Sequence, residues 1–184
     1  MATRPFDPGK LDMEAFAAAA AQLEGQRPLR EFPRIRAVLH MKTRAPEDEP
    51  VVWSARGELR KARGAPAQVW LHLNAAANLA LECQRCLSTV DVPVNVERRF
   101  LFVASEDEAA ALDAESDDDI LALTRWLNLH DLVEDELLLA LPLVPRHERC
   151  PAPLPFRRET ANKISEHANP FAALAELKRN GPVN

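Results

Sequence analysis

The feature that most constrains the fold is a series of short runs in which apolar side chains recur at every second residue. The clearest runs are residues 51–59, 68–74 and 90–103, and the last of them contains four alternate valines. Residues 32–39 and 78–83 show the same alternation less cleanly. A period of two places alternate side chains on opposite faces of a β-strand. The sequence therefore predicts about five strands.

Short connections containing Gly, Pro or Asn separate these runs, which favours antiparallel pairing because a parallel crossover needs roughly a dozen residues. Pro93 suits an edge position, since proline has no N–H to donate across a sheet. Residues 128–141 carry apolar side chains at helical spacing, begin at a possible Asn128 cap and stop at Pro142. The predicted fold is α+β: an antiparallel sheet of about five strands, with a half-barrel as one form it could take, and this amphipathic helix packed on it.

Two peripheral helices are predicted near the ends of the chain. Asp12 can cap an alanine-rich helix that stops at Gly25. Asn169, followed by Pro170 at the first helical position, begins a short C-terminal helix. The rest of residues 144–184 has several prolines near its start and no periodicity, so an irregular tail is predicted there.

The charge of the chain is unevenly distributed. Residues 27–63 contain ten Lys or Arg against five acids (10 − 5 = +5), whereas residues 106–119 contain eight acids and no base. We therefore predict a flexible acidic loop at residues 105–119 and a phosphate-binding surface in the basic segment. The residues predicted to contact RNA are Arg34, Arg36, Arg56, Arg60, Lys61 and Arg63. The alternative is that the strands simply carry arginine on their solvent face.

The length of the chain and its cysteines bear on domain count and location. A chain of 184 residues can bury a core without disulfides, so residues 1–184 are predicted to form a single domain. Three cysteines, an odd number, disfavour a secreted disulfide framework. No segment approaches the roughly 20 consecutive apolar residues of a membrane helix, and the N-terminus has no apolar stretch typical of a signal peptide. The predicted location is the cytoplasm, and no membrane partner is expected.

Common catalytic motifs are missing from the sequence. The five glycines are scattered, so no phosphate-cradling loop can be assembled, and there is no G-x-S-x-G or H-E-x-x-H motif. Three consecutive acids, Glu134, Asp135 and Glu136, fan out by about 100° per residue on a helix and cannot converge on one point. We expect these acids to form a solvated face with one capping or docking contact. The sequence predicts a non-catalytic protein with no small-molecule substrate.

The cysteines leave three interpretations open. Cys83 and Cys86 form a CxxC, and His147 and Cys150 form an HxxC in the proline-rich region. Together they offer the four soft ligands of a structural zinc site, although the two pairs are far apart in sequence. Alternatively, the CxxC is a turn whose cysteines pack as small apolar groups. A redox pair is the third interpretation, and it lacks the helix N-terminus that would stabilise a thiolate.

Three segments resemble the large ribosomal RNA subunit accumulation protein family, YceD. They are LECQRCL at 81–87, LVEDELLLALPLVPRHE at 132–148 and NPFAALAELKRN at 169–180. The resemblance implies a bacterial cytoplasmic protein that is needed for the synthesis, processing or stability of 23S rRNA, with no assigned catalytic residues. The chain departs from the family pattern mainly in its first forty or so residues and in its longer acidic segment.

The resulting hypothesis is a ribosome-assembly factor that binds large-subunit precursor rRNA, an early ribosomal protein, or both. Two alternatives belong to other classes. An RNA-processing enzyme would need a metal-binding carboxylate cluster or a histidine pair. A zinc-stabilised adaptor would only hold two proteins together.

Overall fold

The computed structural model describes residues 6–40, 48–61, 63–64, 66–113, 116 and 118–151. The elements treated below all lie in one unit, Met1–Cys150; of a second unit, Pro151–Asn184, only Pro151 is described. The predicted C-terminal helix at Asn169 therefore lies outside the described residues, as does most of the predicted tail. The described part of that tail, 144–151, contains no helix or strand.

The fold is built on a five-stranded sheet whose strands, numbered along the chain, lie in the spatial order β1-β2-β3-β4-β5. The first four strands pair antiparallel, and β5 pairs parallel to β4, so the sheet is mixed rather than purely antiparallel. The predicted α+β fold with about five strands is confirmed. In chain order the elements are α1 (Met13–Ala18), β1 (Gln22–Pro28), a 3₁₀ turn (Leu29–Glu31), α2 (Pro33–Val38), β2 (Pro50–Arg60), β3 (Gln68–Glu82), β4 (Thr89–Val103), α3 (Glu106–Asp113), β5 (Asp119–Ala122) and α4 (Leu129–Leu139).

Two of the predicted strands are wrong, although the total is right. Residues 32–39 form α2, with Pro33 at its start and only Ile35 of the helix buried. The predicted strands at 68–74 and 78–83 are one strand, because the three alanines between them continue the pairing of β3 with β4 without a turn. Two strands that were not predicted complete the sheet: β1 begins within the segment predicted as helix, and β5 begins at the last residue of the predicted acidic loop.

The predicted N-terminal helix ends earlier than Gly25. Asp12 caps α1 as expected, accepting a hydrogen bond from the Ala15 N–H at 3.0 Å, but the chain then turns at Ala20, which has a φ of 44°. Gly25 lies in β1 opposite Trp53, and a Cβ there would come within 2.8 Å of the indole. Pairing with β2 outweighs the helical preference of the alanine run.

The predicted acidic loop also contains regular structure. Residues 106–113 form α3, whose first turn is acidic, as suits the positive end of a helix. The Ser105 hydroxyl accepts a hydrogen bond from the Glu108 N–H at 3.2 Å. Ala109 is buried in a small cluster with Val103 and Ile120, which connects α3 to the sheet. A capped first turn and one buried alanine thus support a helix within this highly charged segment.

One face of the sheet, the inner face, packs against α1 and α4 and holds the core. At Gly57 the contact with α1 is close, since a Cβ would lie 2.7 Å from the Phe16 ring and 2.9 Å from the Ala17 backbone. The predicted helix at 128–141 is confirmed as α4, with Asn128 accepting a hydrogen bond from His130 N–H. Its fully buried side chains are Leu129, Val133 and Leu137.

The opposite face of the sheet, the outer face, is polar. Across β1 to β4 it presents, from cross-strand pairing, Gln22, Glu24, Gln26, Val52, Ser54, Arg56, Glu58, Trp70, His72, Asn74, Ala76, Asn95, Glu97, Arg99 and Leu101. Pro93 lies beyond the end of β5 and pairs only with β3 among the described strands, which agrees with its predicted edge position. None of the helices in the described segments has the length and apolar character required to span a membrane.

Candidate functional site

Four potential metal ligands meet at one end of the sheet. Cys83 and Cys86 lie in the turn between β3 and β4, and His147 and Cys150 lie in the segment after α4. One ligand atom from each lies within 4.8 Å of all the others. The Cys83 and Cys150 sulfurs are 3.9 Å apart, and the Cys86 sulfur is 3.5 Å from His147 Nδ1. We call this group the clip; the three cysteines are unbridged.

Backbone contacts hold the two halves of the clip together. In the turn, the Leu87 N–H donates to the Cys83 carbonyl at 2.9 Å, and Leu87 adopts a φ of 58°, a left-handed conformation unusual for leucine. The Gln84 N–H donates to the Pro145 carbonyl at 2.9 Å, and the Arg85 guanidinium donates to the His147 carbonyl at 2.6 Å. The turn is therefore shaped to receive the segment that follows α4.

The orientation of the His147 ring suits a ligand. Its Nε2 lies 2.9 Å from the Thr89 carbonyl, which can only accept, so Nε2 carries a proton and Nδ1 faces Cys86. Hydrogen bonds with Cys83 and Cys86 raise the pKa of His147, so Nδ1 would have to be deprotonated when a metal binds. The Thr89 hydroxyl in turn contacts Nδ1 of the buried His40 at 2.9 Å. A metal-binding histidine commonly has its second nitrogen fixed in this manner.

The ionisation of the thiols also suits metal binding. Burial raises the pKa of Cys83, but hydrogen bonds from the backbone of His147, Arg85 and Cys86 outweigh burial and lower that pKa to about 5. Hydrogen bonds from Ser88 lower the pKa of Cys86. Burial raises the pKa of Cys150. The surroundings of Cys83 and Cys86 thus shift the equilibrium toward the thiolate, which is the form that binds a metal.

The predicted RNA contacts do not share one surface. Arg34, in α2, directs its Nε to the Glu134 carboxylate at 3.1 Å and another guanidinium nitrogen to Asp135, both in α4. Hydrogen bonds to Asp135 and Glu134 raise the pKa of Arg34. Because α4 covers the inner face, Arg34 lies on the opposite side of the sheet from Arg56. Its guanidinium is engaged in joining two helices.

The other predicted residues occupy two further places. Arg36 is exposed in α2, on the helical side. Arg60 is held by the Glu58 carboxylate at 2.8 Å and lies over the Trp70 ring, 4.4 Å from its centroid. Lys61 and Arg63 are exposed in the β2–β3 connection. Of the six predicted RNA contacts, only those at and after β2 can therefore contribute to one surface: Arg56, Arg60, Lys61 and Arg63.

Sequence reasoning missed two residues that lie in one row with Arg56 across the outer face. His72 in β3 is its cross-strand partner, and Arg99 in β4 is the partner of His72. Arg99 lies in segment 98–102, whose basic and aromatic residues resemble those of a base-stacking strand. Phe100 and Phe102 are both in the core, so neither ring is available for stacking. Strict alternation from Phe100 would have placed Arg99 on the outer face.

The three consecutive acids of α4 are less exposed than predicted. Glu134 and Glu136 are both buried, and Asp135 is half exposed. Glu134 makes the expected capping contact, accepting from the backbone N–H groups of Arg34 and Ile35. Glu134 and Asp135 contact different nitrogens of the Arg34 guanidinium, whereas Glu136 contacts Arg98, so the three carboxylates do not converge on one point, as predicted.

Comparison with known proteins identifies the family of the chain. A family model described as "Large ribosomal RNA subunit accumulation protein YceD" matches residues 71–178, more than half of the chain. The chain belongs to the YceD family. The large ribosomal RNA subunit accumulation protein YceD of Haemophilus influenzae is 33% identical over 103 residues, which are 54% of this chain and 59% of that protein. The chain thus spans less than two thirds of this curated relative. No solved structure matches it.

The YceD match contains some of the candidate residues and excludes others. All four clip ligands fall within residues 71–178, as do His72 and Arg99 of the outer face. The six residues predicted to contact RNA all precede position 71.

Proposed function

We propose that this YceD-family protein is a non-catalytic assembly factor that supports the accumulation of 23S rRNA in a bacterial cytoplasm. It would do so by binding large-subunit precursor rRNA, with an early ribosomal protein as a further partner. The family match is the observation that carries this proposal, because the family is named for the accumulation of large-subunit rRNA. The polar part of the outer face supports the RNA contact, since no described helix lines its depressions and an uncovered surface can receive a polymer.

The arginines at and after β2 are the predicted RNA contacts that suit this proposal. Arg56 is exposed and has no acidic partner among the described residues, so its charge is available to a phosphate. Lys61 and Arg63 follow at the end of β2 and extend the same basic region. Arg34 is excluded from this surface because it lies on the side of the sheet opposite Arg56, where two carboxylates of α4 hold its guanidinium.

Sedimentation of cell lysate tests the assembly role. The protein should co-migrate with large-subunit precursors at low salt and dissociate as salt rises, because contacts to phosphate weaken with salt. Deleting the gene should lower the amount of mature 23S rRNA relative to the small-subunit rRNA. A protein that never co-migrates with precursors, even at low salt, would refute the proposal.

The enzyme hypothesis is weaker and has its own test. Glu134 and Glu136 are the buried acids of the described chain, and each carboxylate contacts a cation: Arg34 in one case and Arg98 in the other. Buried carboxylates held by arginine are typical of structural ion pairs. Purified protein carrying amides at positions 134, 135 and 136 should leave precursor rRNA as intact as the wild-type protein does. Cleavage by the wild type that these substitutions abolish would establish an enzyme.

We further propose that the clip binds a structural zinc ion. Tetrahedral zinc with Zn–S bonds of about 2.3 Å and a Zn–N bond of about 2.0 Å separates two sulfurs by about 3.8 Å and a sulfur from a nitrogen by about 3.5 Å. The corresponding separations in the clip are 3.9 Å for Cys83–Cys150 and 3.5 Å for Cys86–His147. Four protein ligands leave no open position for substrate, so the ion would fasten the segment after α4 to the β3–β4 turn.

Elemental analysis tests the zinc proposal. Reduced protein purified without added metal should contain one zinc per chain, and a chelator should lower its melting temperature. The Cys86→Ser variant should lack zinc, and its melting temperature should not respond to the chelator, which serves as the internal control. Metal-free wild-type protein with a chelator-independent melting temperature would favour the simple turn. Zinc-loaded protein that binds only proteins, and no RNA, would instead support the adaptor hypothesis.

A further inference from the structure

A cationic row crosses the outer face of the sheet. Cross-strand pairing places Gln22, Arg56, His72 and Arg99 directly beside one another on four adjacent strands. Like charges in such positions destabilise a sheet. Glu58 lies 2.6 Å from the His72 ring, and Asp118 lies 2.6 Å from the Arg99 guanidinium. Arg56 has no comparable acid within the part of the chain that the structure describes. Arg56 therefore leaves one exposed positive charge in the row that no described acid neutralises.

Two depressions meet beside this row. One, of about 300 Å³, is lined by the row itself together with Ser54, Asn74 and Glu97. The other, of about 930 Å³, shares those three residues and continues across the sheet to Gln26 and Asn95. Their floor includes the small side chains Ser54 and Ala76, and no described helix covers them. The outer face thus offers a cationic edge and an adjoining concave surface rich in amides.

The polar groups of the larger depression restrict what it can bind. Glu97 and Glu24 would repel a phosphate placed there. A carboxylate can, however, accept a hydrogen bond from the exocyclic amino group of a base, and asparagine or glutamine can pair with a base edge through two hydrogen bonds. Phosphates are favoured along the Arg56–Arg99 edge, and most strongly at Arg56, because Asp118 offsets part of the Arg99 charge. The arrangement matches a nucleotide chain whose backbone and bases lie on different rows.

We propose that the outer face binds unpaired RNA, with the sugar–phosphate backbone along Arg56 and Arg99 and the bases in the depression between Asn74 and Asn95. This inference rests on the proposed binding of precursor rRNA and adds its surface and the form of the RNA. Unpaired RNA is required because the base edges of an A-form duplex lie mostly in a groove too narrow for side chains. Trp70, the tryptophan of this face, is buried beneath Arg60, so the bases are held by hydrogen bonds rather than by stacking on it.

Fluorescence anisotropy with labelled oligoribonucleotides of mixed sequence tests the proposal. The wild-type protein should bind the single strand more tightly than the same strand annealed to its complement. The double variant Arg56→Ala/Arg99→Ala should bind at least about tenfold more weakly, and its plot of log K against log salt should flatten by about 1.4, since each lost contact to single-stranded nucleic acid removes about 0.7. Asn95→Ala should alter base preference without changing that slope. Arg125→Ala, at an exposed arginine outside the sheet, is the matched control.

The outcomes distinguish failure of the proposed RNA site on the outer face from failure of RNA binding by the protein as a whole. Wild-type protein that binds neither RNA form at low salt would refute both this inference and the RNA-binding part of the proposed function. Tight RNA binding that the double variant and the control weaken equally would overturn the surface and leave the function standing. Equal affinity for single strand and duplex would overturn the claim of unpaired RNA. Melting temperatures of all variants near the wild-type value would show that losses arise from binding rather than from unfolding.

Discussion

The carboxylate of Glu134 and the backbone of Arg34 join two helices that are a hundred residues apart. Glu134 Oε1 lies 2.7 Å from the Arg34 backbone nitrogen, and Oε2 lies 3.1 Å from its Nε. The Glu134 side chain is only 4% exposed. By accepting from the first N–H groups of α2, a residue of α4 takes the place of a local N-cap, which Phe32 cannot provide.

Replacing Glu134 by glutamine should therefore destabilise the protein. The amide keeps the shape of the side chain but presents an NH₂ group to one of its donors, and a buried hydrogen-bonding group left unsatisfied costs about 1–3 kcal/mol. We expect the free energy of unfolding to fall by about that amount in urea denaturation. Asp135→Asn, at the half-exposed neighbour that contacts the same arginine, should change it by less than about 1 kcal/mol. Equal effects of the two changes would contradict the capping role.

Two leucines of α4 provide a second matched pair. Leu137 is fully buried, whereas Leu139 is 73% exposed. Leu137→Asp should prevent folding, because an unpaired carboxylate would lie in the core, and Leu137→Ala should cost about 2–5 kcal/mol. Leu139→Asp should leave the circular dichroism spectrum and the melting temperature close to those of the wild type. A folded Leu137→Asp variant would refute the placement of α4 on the inner face.

Gly57 tests the contact between α1 and the sheet. A Cβ at this position would lie 2.7 Å from the Phe16 ring and 2.9 Å from the Ala17 backbone, so the helix would have to move. We expect Gly57→Ala to lower the free energy of unfolding by about 1–3 kcal/mol, the usual cost of overpacking. Gly9→Ala is the control, because the nearest atom to its Cβ would be 3.4 Å away. A neutral Gly57→Ala would show that α1 packs more loosely.

The sequence predicted those elements whose local pattern agrees with their tertiary environment. The strands β2 and β4 alternate because one face is buried, and α4 has an apolar stripe for the same reason. Prediction from the sequence failed where contacts between distant residues determine the secondary structure. The start of β1 has a helical local pattern, but it pairs with β2 and places Gly25 opposite Trp53. The segment of α2 has a strand-like pattern, but Glu134 caps it as a helix.

The sequence predicted the clip better than it predicted the RNA-binding surface. Cysteine and histidine are specific enough as ligands that type and spacing grouped Cys83 with Cys150, and these side chains do come together. Arginines serve many purposes, so a run of positive charge along the chain does not reveal which side of a sheet each one faces. Arg34 holds two helices together, whereas Arg99, outside the basic run, lies two strands from Arg56 on the same face, with His72 between them.

A last prediction concerns Glu136 and the dependence of stability on pH. Burial raises the pKa of Glu136 above its ordinary value of 4.5, and the Arg98 guanidinium 3.3 Å away opposes that shift only in part. As pH rises past 4.5, the unfolded chain loses this proton before the folded protein does. The folded state then holds more protons, and its stability falls with rising pH through that window. Glu136→Gln removes this contribution, so the variant should gain stability relative to the wild type between pH 4.5 and neutrality.

Glu58 supplies the control of opposite sign for this measurement. Hydrogen bonds from Arg60 and His72 lower the pKa of Glu58 to about 2. Its stabilising contribution is therefore complete above pH 4.5 and is lost as pH falls toward 2. In urea titrations across this range, Glu58→Gln should lose stability relative to the wild type as pH rises from 2 to 4.5, whereas Glu136→Gln should gain it above 4.5. If both differences changed in the same direction, the opposite environments assigned to these two carboxylates would be wrong.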